Sequence, residues 1–363
     1  MAESTVDERT PLVNADGSPK VVDDHTSIRV EQIQRRPSED EAAKALEDKP
    51  DEWTRWDVFV WAFWIIAGVA FVVWFIKGIR ESDDVDFDLR KALKDALGGG
   101  LSGAAAMVLQ VLTLMPLRTI MNYQYRYGTT TKEAARTLYA DGGYARYYAG
   151  LGAALFQGPI ARFGDTAANA GILALMQSNP TMKKLPVLIQ TVFASLCAAG
   201  FRMILTPIDT IKTTLQTQGS QGWALLKNRI KVHGIGTMWY GAFGTAAATF
   251  VGHYPWFATY NFLDKLLDKP DGTVEFLARQ AFIGFSASVI SDTASNSLRV
   301  LKTYRQVNPT RISYRNAARA VLAADGVRGL FGRGLGTRIL TNGLQGLLFS
   351  ILWKLFMNMC MEE

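Results

Sequence analysis

The chain has 363 residues, 48% of them hydrophobic, with a mean hydropathy of +0.06 and a formal net charge of +6 at pH 7. That apolar content is high for a soluble globule and is gathered in long runs, so a membrane protein is the leading class. The two cysteines, Cys197 and Cys360, lie in apolar surroundings; they exclude a disulfide framework and read as buried reduced thiols.

Residues 1–52 carry 14 acids against 7 bases and few apolar side chains, and read as a solvated, disordered tail. The tail is too acidic for a mitochondrial presequence, and it has no apolar core with a cleavage site. In the next segment, 53–80, "VFVWAFWIIAGVAFVVWFI" (58–76) gives 19 residues without charge. Trp53 and Trp56 precede the run, and Lys77 and Arg80 follow it. It reads as a membrane span; the alternative is a helix lying against the rest of the protein or in the interface. A charged linker, 81–96, follows.

Residues 97–357 repeat themselves three times, over about 97–186, 187–275 and 276–357. "DGGYARYYAGLG", "HGIGTMWYGAFG" and "DGVRGLFGRGLG" superpose without a gap, their first residues Asp141, His233 and Asp325 being 92 and 92 apart. Upstream, "PLRTIM" (116–121), "PIDTIK" (207–212) and "SLRVLK" (297–302) align at spacings of 91 and 90. Thirteen residues before these lie Gly103, Ala194 and Gly284, small enough to let helices approach closely in lipid. Each unit reads as an apolar run ending near the proline position, a short polar helix and a second apolar run, giving six spanning helices. A proline inside such a run kinks it and frees a carbonyl.

This pattern resembles the mitochondrial carrier family, whose repeats pair a P-x-[DE]-x-x-[KR] helix with a second span. Pro207, Asp209 and Lys212 fit that signature fully, Pro116 and Ser297 only in part. The resemblance implies an all-α membrane protein: a three-fold pseudosymmetric six-helix bundle around a central cavity, here with one extra N-terminal hydrophobic helix. It implies an alternating-access solute carrier of the mitochondrial inner membrane. The mitochondrial outer membrane or a vacuolar or lysosomal membrane is the alternative. An independent charge argument agrees on orientation. Segments 118–150, 208–235 and 299–333 carry +3, +3 and +7, whereas 264–279 carries −1, and basic loops mark the untranslocated side. On this topology a spanning 58–76 run places the acidic tail in the matrix.

In the family, acids and bases of the signature pair between helices and close the matrix side. The acid positions here hold Arg118, Asp209 and Arg299, and the base positions Met121, Lys212 and Lys302. Asp209 with Lys302 survives, Arg118 faces Lys212 in repulsion, and Arg299 faces neutral Met121, so this closure is expected to be weak. The alternative for the two arginines is that they snorkel to lipid headgroups. The outer network of the family, [FY]-[DE]-x-x-[RK], keeps no acid: its positions read Asn169-Ala170, Asn261-Phe262 and Trp353-Lys354.

The family's solute contacts fall on Gln157, Thr249 and Thr341, all uncharged and 92 apart. His253 and Gln345 lie one turn further on, and the odd helices contribute Arg202 and Asp292, seven residues before the signature position. Charges at this depth mark a site or a pair, and Arg202 and Asp292 are expected to satisfy each other. His253 reads as a hydrogen-bonded interior histidine rather than a proton relay. "GGGLSG" (98–103) fits a dinucleotide-binding pattern, but no strand precedes it, so it reads as helix packing. Zinc-ligand spacing, a nucleophile elbow and a Walker motif are missing, so no enzyme, metal, cofactor or nucleic-acid partner is expected. The expected partners are the bilayer and a small neutral or zwitterionic solute. The alternative is a non-transporting scaffold, fusion or insertase factor or complex subunit that binds a protein through residues 1–80.

Overall fold

The computed structural model describes residues 89–178, 187–270 and 272–361, together with Val73. Apart from Val73, the expectations for the acidic tail and for the run at 58–76 lie outside the described residues. The described chain is helical throughout.

The first unit consists of α1 (Leu89–Tyr127), α2 (Thr131–Tyr147) and α3 (Leu151–Ser178). The second is α4 (Val187–Ile204), α5 (Thr206–Gln218), α6 (Gln221–His233), a 3-10 turn (Ile235–Trp239) and α7 (Ala242–Leu266). The third is α8 (Thr273–Val307), α9 (Tyr314–Gly332) and α10 (Leu335–Met361). The three signature positions bend the chain unequally. Pro116 is carried inside an unbroken α1, and the third unit, with Ser297, runs straight through as α8. Only at Leu205 does the helix break, and Pro207 then sits in the first turn of α5, where its missing N–H costs no hydrogen bond.

Short helices then turn the chain back. A capping box opens α2: the Glu133 N–H donates to Thr130 Oγ1 at 3.3 Å, and the Thr130 N–H donates to Glu133 Oε2 at 3.0 Å. At this turn Gly234 and Gly326, directly after His233 and Asp325, take φ of +77° and +64°, while in the first unit the aligned Gly142 has φ −179° and the next residue, Gly143, takes +61°. A side chain there would be strained, which is why a glycine recurs at this turn in all three units.

The long helices close into a ring. α1 packs on α3, α3 on α4 and α5, α4 on α7, α7 on α8, α8 on α10, and α10 returns to α1. Inside the ring α1, α5 and α8 also meet one another pairwise. Polarity is inverted relative to a soluble globule. Gln110, Gln216, Asp292, Asn296 and Gln306 are buried, while Leu109, Phe156, Leu196, Val251, Ile290 and Leu344 are exposed on the outside. An apolar belt of this extent is suited to lipid.

Among the described residues no helix is long and apolar enough to cross a membrane. The cavity-facing sides of the long helices carry Arg118, Arg202, Asp292, Arg299 and Arg338, so the helices are apolar outside and charged within.

Close approach of α3 to α4 depends on one missing side chain. A Cβ on Gly164 would sit 1.9 Å from the Phe201 ring. Gly164→Ala is therefore expected to destabilise the protein by about 2 kcal/mol through overpacking. Phe201→Leu in the same background should recover much of that loss in a thermal melt in detergent. A Gly164→Ala protein that melts with the wild type would show that the two helices are not so tightly apposed.

Candidate functional site

The ring encloses a cavity of about 1100 Å³. Its floor lies where α1, α5 and α8 converge toward their C-terminal ends. Three contacts of different chemistry join those helices. Between α5 and α8, Lys302 Nζ lies 2.5 Å from Asp209 Oδ2, and Gln306 Nε2 donates to Thr210 Oγ1 at 2.8 Å. Between α1 and α5, Asn122 Nδ2 donates to Gln216 Oε1 at 2.6 Å. Between α8 and α1 the join is mostly apolar: Met121 and Tyr125 pack with Val300 and Tyr304, and the Tyr125 hydroxyl donates to Asn296 Oδ1 at 3.3 Å.

The Asp209–Lys302 pair is the one that the family resemblance implies. The expected repulsion between Arg118 and Lys212 is corrected, because the two side chains part. Lys212 Nζ turns within its own helix to Asp209 Oδ1, at 2.7 Å, and donates to Gln157 Oε1 at 2.9 Å. Arg118 reaches the other way, Nη2 donating to Gln345 Oε1 on α10 at 3.2 Å. Asp209 thus holds two lysines, and at 8% exposure it is the only acid on this floor among the described residues. The Arg299 side chain donates to a neutral group, its Nε to Ser295 Oγ at 3.3 Å.

Further up, Gln157, Thr249 and Thr341 all line the cavity, as the spacing of 92 requires. The two threonines donate back to their own helices, to Thr245 O at 2.8 Å and Thr337 O at 2.7 Å. Arg202 and Asp292 line it as well, but their expected pairing is corrected. Asp292 Oδ1 accepts from Arg338 Nε at 2.6 Å, and Oδ2 accepts from Asn342 Nδ2, both on α10. His253 is corrected as a solute contact, since it is absent from the lining. Its Nδ1 shares a 2.8 Å hydrogen bond with Ser195 Oγ, tying α7 to α4, and its ring meets Phe257 edge-on.

Arg338 and Asn342 were missed because the partner of Asp292 lies 46 and 50 residues on, at a distance that no repeat period predicts. The charge inventory is lopsided. Arg118, Arg162, Arg202, Lys212, Arg299, Lys302 and Arg338 line the cavity, against Asp209 and Asp292, a net charge of +5 among the described residues.

Beneath the floor lies a ring of arginines that the sequence reading also missed. Arg146 Nη1 donates to Gln216 O at 2.9 Å and its Nη2 to Thr217 O at 3.0 Å, at the end of α5. Arg229 Nη1 donates to Gln306 O at 2.6 Å, at the end of α8. Arg333 Nη1 donates to Arg126 O at 3.0 Å, at the end of α1. Each unit therefore caps the next unit's signature helix with a buried guanidinium, where the carbonyls of the last turn are otherwise unpaired. Asp141 and Asp325 hold the first and third arginines at 2.7 and 2.6 Å. The aligned residue of the second unit is His233, and Arg229 instead lies over the Tyr240 ring, 5.1 Å from its centroid. Burial pulls the Arg229 guanidinium down to about 10, against the effect of Tyr240, while Arg305 lowers it further.

A family model described as "Mitochondrial carrier protein" matches residues 183–271 and 274–363, the second and third units. The chain is 23% identical over 270 residues to "Mitochondrial ornithine transporter 1" of Saccharomyces cerevisiae, a match covering 68% of this chain and 88% of that protein.

Proposed function

The chain belongs to the mitochondrial carrier family, a carrier-type transporter of a mitochondrial membrane and not an enzyme, and from that premise we propose that it moves a small anionic solute across the inner membrane. The observation that carries this reading is the surplus of cations among the described lining residues: with Arg162 and Arg202 set aside, Arg118, Lys212, Arg299, Lys302 and Arg338 stand against Asp209 and Asp292, a net charge of +3. Unit charges about 4 Å apart interact by about 4 kcal/mol at an effective dielectric of 20. A cavity with this excess of cations therefore gains by taking in negative charge and rejects more positive charge. Gln157, Thr249 and Thr341 alone would suit a neutral or zwitterionic solute; the basic groups around them outweigh that preference. For the same reason the ornithine of the yeast relative's name, with two amines to one carboxylate, does not carry over to this chain.

Alternating access needs a bundle that can close at each end in turn. The convergent ends of α1, α5 and α8, held by Asp209–Lys302, Asn122–Gln216 and the Met121 packing, serve as the inner closure, facing the matrix by the positive charge of 118–150, 208–235 and 299–333. The scaffold reading rests on the missing ion pairs and on the added N-terminal run; at the first of these, contacts of other chemistry stand in place of the ion pairs. Solute binding drives the cycle only as far as it favours the intermediate over both closed states.

Purified protein reconstituted in liposomes should exchange members of an anion panel and leave lysine, ornithine and neutral amino acids at background. Uptake of cationic or neutral solutes with anions inert would refute this reading.

A further inference from the structure

On one wall of the cavity, α1, α8 and α10 bring together three guanidiniums, those of Arg118, Arg299 and Arg338. Arg338 is close enough to both of the others for mutual repulsion. The only carboxylate on this wall among the described residues is Asp292, and both of its oxygens are engaged, by Arg338 and Asn342. Arg118 and Arg299 are left with neutral partners, Gln345 Oε1 at 3.2 Å and Ser295 Oγ at 3.3 Å. The wall therefore carries a surplus of two positive charges at a depth where unpaired charge is costly. Arg118 and Arg299 also occupy the two signature positions at which an acid is missing. The α8–α1 join below them is the one closed by Met121 packing and a tyrosine hydroxyl rather than by an ion pair.

We propose that Arg118, Arg299 and Arg338 form a subsite for a phosphomonoester, whose phosphoryl group supplies between α1, α8 and α10 the negative charge that the chain itself lacks there. This rests on the anionic-solute reading and narrows it. A phosphomonoester carries close to two negative charges at neutral pH and three strong acceptor oxygens on one atom. Guanidinium forks match such a group bidentately. A dicarboxylate spreads the same charge over two ends, only one of which can sit among three clustered arginines. The cavity, at about 1100 Å³, leaves room for an organic portion beside Gln157, Thr249 and Thr341. Because the arginines belong to three different helices, the bound group ties α1 to α8 across a join that has no ion pair among the described residues, so binding and closure are linked.

The test uses the full-length protein in detergent, with glycerol 3-phosphate, succinate and glycerol as probes at matched ionic strength. Glycerol 3-phosphate should raise the melting temperature saturably, through preferential binding to the folded state, and succinate should need at least tenfold higher concentration for the same shift. Arg118→Gln and Arg299→Gln should each weaken the phosphoester response at least tenfold. Both variants should melt no lower than the wild type without ligand, since a like-charge repulsion has been removed; a purely structural role for these arginines would lower that melting temperature instead. Arg299→Lys, which keeps the charge but not the fork, should respond between the wild type and Arg299→Gln. Succinate as effective as glycerol 3-phosphate, or a phosphoester response untouched by both glutamine variants, overturns the subsite and leaves an anion carrier standing. Loss of every anion response together with uptake of neutral or cationic solutes would bring down the anionic reading as well.

Discussion

Asp209→Asn should lower stability by about 3 kcal/mol and reduce solute uptake at least tenfold. The carboxylate is buried and holds Lys302 at 2.5 Å and Lys212 at 2.7 Å, on helices α8 and α5. Removing one partner of a buried ion pair costs about 3–5 kcal/mol, because the other charge is left uncompensated. Here two ammonium groups lose their counter-ion at once, and Arg118 and Arg299 line the same cavity. The lower end of the range applies because the lysine side chains keep 18% and 15% exposure and can swing toward water. Asp209→Glu keeps the charge and should retain most of the stability. Lys302→Met placed in the Asp209→Asn background should recover part of what the single change lost, since it removes one of the orphaned cations. A melt in detergent and uptake in liposomes read both effects. An Asp209→Asn protein that is as stable and as active as the wild type would show that the floor is held by other contacts.

The same residue shows what could be read from the sequence. The period of about 90 aligns the signature positions, the resemblance to the carrier family implies that Asp209 meets Lys302, and that pair forms. Register does not say where a long side chain turns when several partners are in reach. Lys212 was set against Arg118 by alignment, yet four methylenes let it fold back to Asp209, three residues before it on the same helix. Arg118 likewise found Gln345 across the cavity. Asp292 was assigned to Arg202 by helix neighbourhood, but its partners Arg338 and Asn342 come from α10. His253 had the spacing of a cavity residue, and its hydrogen bond to Ser195 places it between α4 and α7 instead. Three-fold spacing located the helices and the layer; pairing inside the layer depended on charges that break the symmetry.

Arg333→Gln should destabilise the protein by about 3 kcal/mol, comparable to the loss of a buried, paired charge. Arg333 is 5% exposed and does two things at once. Its Nη1 donates to Arg126 O at the end of α1, and its Nη2 lies 2.6 Å from Asp325 Oδ2. Glutamine is too short to reach both, so carbonyls of the last turn of α1 lose their donor and Asp325 loses its counter-ion. Asp325→Asn alone should cost only about 1 kcal/mol, because that carboxylate is 35% exposed and water takes over part of its solvation. The two changes should be less than additive when combined, which a double-mutant cycle reads as a coupling energy. Arg229→Gln is the telling comparison. Its guanidinium caps α8 without a carboxylate, lying over Tyr240, so it should lose its cap but show no coupling to the aligned His233. Equal coupling at both sites would mean that the carboxylate does not anchor the arginine. A melting temperature unchanged by Arg333→Gln would mean that the end of α1 is held to the third unit by its other contacts, Thr337 Oγ1 donating to Gln124 Oε1 at 2.6 Å and Arg126 Nη2 to Asn308 Oδ1 at 3.1 Å, and not by the guanidinium.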